Sequence, residues 1–264
     1  MPDLQTILHH VPAALLVIFR IGGLTIYGPV LGSSVIPVRV KVMLSFMIGI
    51  MCYPLLSSDH FARLHFQDEL WMLAPLVGME LIIGLIVGFL ASLPLLALQT
   101  GGLIMGQQMG LGFAQLYNPA IDDEADIVGQ MLFFMGLAAF VLVGGHESML
   151  LSILHSFDRV PVGGFSPDGD LVHVVTGVLL ASLELALRVA APVLALVFLE
   201  TVAMGFLAKT VPQLNILSLG FPIRILIGFA SVGIGLVVIN DVALESMSDT
   251  FNAVFQWIDS CGSN

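Results

Sequence analysis

Apolar positions fall into six long runs, at residues 11–31, 40–56, 70–98, 128–154, 174–208 and 216–240. A hydrocarbon layer of roughly 30 Å is crossed by about 20 helical residues, so each run has about the length of a membrane-spanning helix. Polar connectors separate them: SSDHFARLHFQDE (57–69), NPAIDDEAD (118–126), SFDRVPVGGFSPDGD (156–170) and KTVPQLN (209–215). None is long enough for a separate soluble domain. SPDG at 166–169 has the residues of a β-turn, and Asp122, Asp123, Glu124 and Asp126 stand just before an apolar run, where acids complement a helix N-terminus. That acidic cluster lacks the alternating ligands and central glycine of a calcium loop.

Composition turns this pattern into a class. Of 264 residues, 58% are hydrophobic and 10% charged, and the mean hydropathy is +1.02, so the chain is an integral membrane protein. Eight basic residues against 19 acids give a formal charge of -11, which leaves no basic surface for nucleic acid or anionic headgroups. Cys52 and Cys261 offer neither a metal-ligand spacing nor a disulfide framework. The opening MPDLQTILHH has an acid and no Lys or Arg. It lacks the basic region of a cleavable signal, and the first run is expected to stay in the mature protein. With strict alternation, Arg39, Lys41 and Lys209 share one side and Arg63 and Arg159 the other, a margin too small to orient the chain.

Several charges lie inside apolar runs, among them Arg20, Glu80, Glu184, Arg188, Glu200 and Arg224. An Arg at the bilayer centre costs about 2.5–3.5 kcal/mol on insertion scales, so these side chains are expected to be buried against protein or a water-filled cavity. Glu184 and Arg188, four apart, can pair on one helix face. Arg20, Glu80, Glu200 and Arg224 have no such local partner. They pair elsewhere in the chain, pair with other subunits, or stand outside the hydrocarbon. Pro12, Pro29, Pro37, Pro54, Pro75, Pro94, Pro192, Pro212 and Pro222 punctuate or end nearly every run, predicting partly broken helices, which survive at membrane depth only where protein or a cavity satisfies the freed backbone.

The segment GGLIMGQQMGLGFAQLYNP (101–119) fits neither class cleanly. As a helix it aligns Gly102, Gly106, Gly110 and Ala114 in one small-residue ridge suited to tight helix contact, with Met105 and Met109 on a neighbouring stripe. As a loop, its glycines oppose helix by roughly 1 kcal/mol each, Gln107, Gln108 and Gln115 can satisfy irregular backbone, and methionine fills poorly defined shapes. Helix packing and a deformable pore closure both remain open on these residues.

Three blocks carry a family resemblance: RIGGLTIYGPVLGSSVIPVRVKV (20–42), the 101–119 segment, and KTVPQLNILSLGFPIRILIGF (209–229). In order and spacing they resemble the FliR/SctT-type family, subunits of type III export gates, and the first block is closest to the flagellar branch. The resemblance implies an all-α membrane protein of interlocked helical hairpins, with a FliP-like part at 1–173 and a FliQ-like part at 174–264, built into a helical hetero-oligomer. It implies FliP, FliQ, FlhB and FlhA homologues as partners, unfolded export substrates as cargo, membrane lipid as surroundings and the bacterial inner membrane as location. It further implies a pore plug including Met105, Gly106, Gln107, Gln108, Met109, Gly110, Phe113 and Gln115. Lys209, Pro212, Gln213 and Asn215 match a cytoplasmic tip near FlhB. Virulence homologues share the same blocks and serve a needle complex.

Two other classes compete. A secondary transporter would use Glu80, Glu200 and Arg224 as a midplane site, but no two halves with corresponding broken helices are visible. An intramembrane enzyme would draw on seven histidines, His9, His10, His60, His65, His146, His155 and His173. These form no HExxH, and no serine or cysteine sits in a nucleophile setting. No cofactor or metal is expected.

Overall fold

The computed structural model describes residues 4–33, 35–56, 73–112, 127–165, 169–211, 213 and 216–261. Among them lie seven α-helices and no strand: α1 (Leu4–Tyr27), α2 (Val38–Cys52), α3 (Leu73–Met109), α4 (Ile127–Leu142), α5 (Gly145–Arg159), α6 (Gly169–Thr210) and α7 (Ile216–Cys261), with a 3-10 turn at Tyr53–Leu55. Five of these helices are long and apolar enough to cross a membrane, and a sixth crossing results if α4 and α5 form one broken span.

Three boundaries depart from the apolar runs. The third run continues as helix to Met109 because the glycines that weaken it locally are packed against other helices. The fourth is split at Gly144, whose φ of +81° is open to glycine and closed to most other residues. The last continues past Asn240 to Cys261 as an amphipathic helix. Ala243, Met247, Thr250, Val254, Trp257 and Ile258 are buried at helical spacing, while Asp241, Glu245 and Asp249 face out. The prolines divide into two sets. Pro37 precedes α2, Pro54 lies in the 3-10 turn and Pro75 in the first turn of α3, where the missing N–H costs little. Pro12, Pro94, Pro192 and Pro222 lie within helices that continue through them.

The chain divides into two units, each drawing on both the N-terminal and the C-terminal part. The first comprises Met1–Leu93, Val141–Leu179 and Met247–Asn264. Its core joins Leu16, Ile21 and Leu24 of α1 to Ile83, Val87 and Leu90 of α3, Met149, Ile153 and Phe157 of α5, and Trp257 and Ile258 of α7. Helices α1 and α3 touch backbone to backbone: a Cβ on Gly23 would overlap the Leu81 carbonyl, and one on Gly84 the Arg20 carbonyl. Helix α2 holds to α1 through a hydroxyl pair, Thr25–Ser45 at 2.9 Å, and through Gly49 seated on Ile18. Its Val38, Met43, Phe46, Met47 and Met51 are left exposed. The α7 end is tied to α5 by Asp259, which accepts from His155 Nε2 at 2.9 Å and Arg159 Nε at 2.8 Å.

The second unit comprises Pro94–Phe140 and Leu180–Ser246. Here the end of α3 packs without intervening side chains, Gly102 against Gly129 of α4 and Gly101 with its Cβ position 2.8 Å from the Ala186 carbonyl of α6. Leu180, Leu183, Phe198 and Phe206 of α6 and Leu226, Ile234 and Val237 of α7 are exposed.

Candidate functional site

The segment of open character begins as helix. Residues 101–109 are the last turns of α3, and Gly110, at φ +86°, closes them. Its N–H donates to the Gln107 carbonyl at 3.0 Å and the next N–H, of Leu111, to the Gly106 carbonyl at 3.1 Å. This is the left-handed glycine cap that satisfies the last carbonyls of a helix. Met105 and Met109 are fully buried, beside buried Gly102 and Gly106, while Gln107 and Gln108 point outward. Met109 lies over the backbone of Gly228 in α7. Phe113 and Gln115 lie outside the described residues.

The intrahelical charges form three arrangements. In the first unit, Arg20 and Glu80 are both fully buried, and Arg20 Nε donates to Glu80 Oε2. Arg20 also donates from Nη1 to Ser156 Oγ at 3.0 Å and from Nη2 to the Val160 carbonyl at 3.2 Å, and its Cζ stands 4.1 Å from the Phe157 ring centroid. The other Glu80 oxygen accepts the Gly163 N–H at 2.7 Å. One ion pair therefore pins α1, α3, α5 and the loop that follows it. Dehydrating two charges is costly, and hydrogen bonds to the remaining polar atoms are what make such a pair tolerable.

In the second unit, Arg224 Nε donates to Glu200 Oε2 at 3.0 Å and Nη2 to Thr201 Oγ1 at 2.9 Å. Glu200 is buried and Arg224 partly exposed; among the described residues Glu200 Oε1 and the Ser182 hydroxyl are buried with no hydrogen-bond partner. Glu184 and Arg188 form the third arrangement, the i,i+4 pair on one face of α6. They pair at 2.8 Å and, in the chain by itself, are 69% and 57% exposed. At 42 residues α6 is about 63 Å long, twice the hydrocarbon thickness, so a charge within an apolar run need not lie at membrane depth.

Lys209 is exposed in the last turn of α6, where a cation complements the helix C-terminus, and Gln213 is exposed in the turn beyond. Pro212 and Asn215 lie outside the described residues. Among the described residues no three of His, Cys, Asp and Glu gather closely enough to hold a metal ion. The pairings Arg20–Glu80 and Arg224–Glu200, 60 and 24 residues apart, follow no sequence period. Gly84 and Gly88, four apart in α3, were the visible signal of a close helix crossing.

A family model described as bacterial export proteins, family 1, matches residues 11–250. The chain is 28% identical over 229 residues to the flagellar biosynthetic protein FliR of Bacillus subtilis, covering 86% of each chain. It is 26% identical over 235 residues to FliR of Escherichia coli, covering 89% of this chain and 88% of that one. With the Yop proteins translocation protein T of Yersinia pestis it shares 29% identity over 201 residues, 72% of this chain and 76% of the other. Together with five helices of membrane-spanning length, these relatives make it a multi-pass protein of the bacterial inner membrane. The matched stretch runs through every one of the seven helices and through both charge networks, and the chain belongs to the bacterial export proteins, family 1.

Proposed function

We propose that this chain is the R subunit of a flagellar type III export gate, a non-enzymatic component that encloses, with FliP and FliQ homologues, a pore for unfolded flagellar proteins. Residues 1–173 serve as its FliP-like part and 174–264 as its FliQ-like part. FlhA surrounds the gate in the membrane, and FlhB meets its cytoplasmic tip at Lys209 and Gln213. The observation that carries the flagellar branch is the extent of similarity: flagellar relatives align over 86% and 89% of the chain, against 72% for the Yersinia translocation protein.

Within this reading the segment that starts at the end of α3 is the plug of the closed pore. Its support is a helix end rich in glycine and methionine, able to pack tightly yet held by no ion pair of its own. Deleting the gene from its host is expected to abolish filament assembly and secretion of flagellar subunits while any injectisome needle persists. Loss of the needle with intact filaments would assign the virulence branch. Deleting residues 106–118 is expected to leave the gate assembled but the membrane leaky to ions and small solutes; an assembled gate with unchanged conductance removes the plug.

A further inference from the structure

We infer that Gly228 is a positioning residue for the gate, the seat in which Met109 fixes the end of α3. The inference deepens the plug reading and rests on it. Met109 is the last residue of α3, where side chains ordinarily fray toward solvent, yet it is fully buried. A Cβ on Gly228 would lie 2.5 Å from Met109 Cγ and 2.6 Å from both Sδ and Cε. Three successive atoms of the thioether chain therefore occupy the space that any other residue at 228 would fill. The other α7 glycines are looser: the nearest atom to the Cβ position is Met204 Cε at 3.3 Å for Gly220 and Ile239 Cδ1 at 3.8 Å for Gly235, and Gly233 has nothing within 4 Å, so overlap below 3 Å is particular to Gly228.

Directly after Met109 comes Gly110 at φ +86°, with its two capping hydrogen bonds. The seated side chain and the turn that aims the chain out of α3 are thus adjacent residues. An unbranched thioether on bare backbone is held by dispersion and buried area alone. Such a contact fixes a resting position firmly and can be left without breaking a hydrogen bond or an ion pair. Added volume at 228 has to displace the thioether end of Met109, a fully buried side chain, so the contact reports on any substitution that enlarges the seat.

The test uses cells with the complete export apparatus and reads inner-membrane leakage and substrate secretion at matched protein level. Gly228→Leu is expected to raise leakage about tenfold or more, and Met109→Ala in the same chain to return it toward the parent, since the leucine fills the vacated space. Parental leakage in Gly228→Leu overturns the inference, and so does a leak that Met109→Ala leaves unchanged. If Gly228→Leu does not accumulate, a cross-link decides. One C–C bond beyond Met109 Cγ, the two Cβ positions are at most about 4 Å apart, within disulfide range. In a chain with Cys52→Ser and Cys261→Ser, oxidising Met109→Cys/Gly228→Cys should cross-link the pair and stop secretion, and a reductant should restore it. Absence of the cross-link, or secretion through a cross-linked gate, overturns the seat. A leaky 106–118 deletion beside a sealed Gly228→Leu sinks the seat alone, whereas a sealed deletion sinks the plug reading first.

Discussion

Arg20 and Glu80 meet in a setting where neither charge reaches solvent, and both carboxylate oxygens and three guanidinium nitrogens are engaged. Removing one partner strands the other in a dry core, a loss of about 3–5 kcal/mol in comparable buried pairs. Glu80→Gln is therefore expected to lower the thermal midpoint of the purified gate sharply, while replacing both residues by leucine costs less than either single change. Equal midpoints for parent and Glu80→Gln would remove the clamp. Glu200→Gln should cost less, because Arg224 is 27% exposed and can regain water. The need for burial was legible from the position of these charges in apolar runs. Which charge meets which was not, since contact across separate helices leaves no period in the chain.

Helices α1 and α3 cross at a distance that only glycine permits, and adjacent residues provide an internal control. Gly22 has open space at its Cβ position, whereas a Cβ on Gly23 meets the Leu81 carbonyl and the Leu85 nitrogen, backbone atoms that cannot rotate away. Gly22→Ala is expected to stabilise the chain by about 0.5–1 kcal/mol through helix propensity, and Gly23→Ala to destabilise it by about 1–3 kcal/mol through overpacking. Protease resistance of the two variants measures the difference; indistinguishable behaviour would mean the crossing is looser than described. The same physics limited what could be read for α3 and α7. Glycines at 101 and 102 weigh against helix until their partners are known, Ala186 against the first and Gly129 against the second. The end of α7 was missed, because the apolar run stops at Asn240; only the helical spacing of Ala243, Met247, Thr250, Val254 and Trp257 marks the continuation, a signal that hydropathy does not register.

At the scale of the whole molecule the decisive quantity is apolar surface without cover. Helix α2 exposes a row of valines, methionines and Phe46, and α6 and α7 expose leucines, valines, isoleucine and phenylalanines. With 42 and 46 residues, α6 and α7 are about 63 and 69 Å long, so more than half of each extends beyond a hydrocarbon layer of about 30 Å. Apolar side chains that lie outside that layer face water unless another protein covers them, and exposed apolar patches mark protein contacts. The chain alone in mild detergent is therefore expected to elute as a broad, aggregating species. On the proposed reading, co-expression with FliP and FliQ homologues should convert it to a single sharp complex. A stable, monodisperse monomer would show that these faces need no partner. On the proposed reading, in which this tip meets FlhB, Lys209→Glu separates assembly from use: the complex should form as before while secretion falls, because Lys209 is exposed at the end of α6. Reversing the charge costs the helix C-terminus about 0.3–1 kcal/mol at most, too little to unmake a complex held by apolar surface. Loss of the complex in that variant would instead assign Lys209 to assembly.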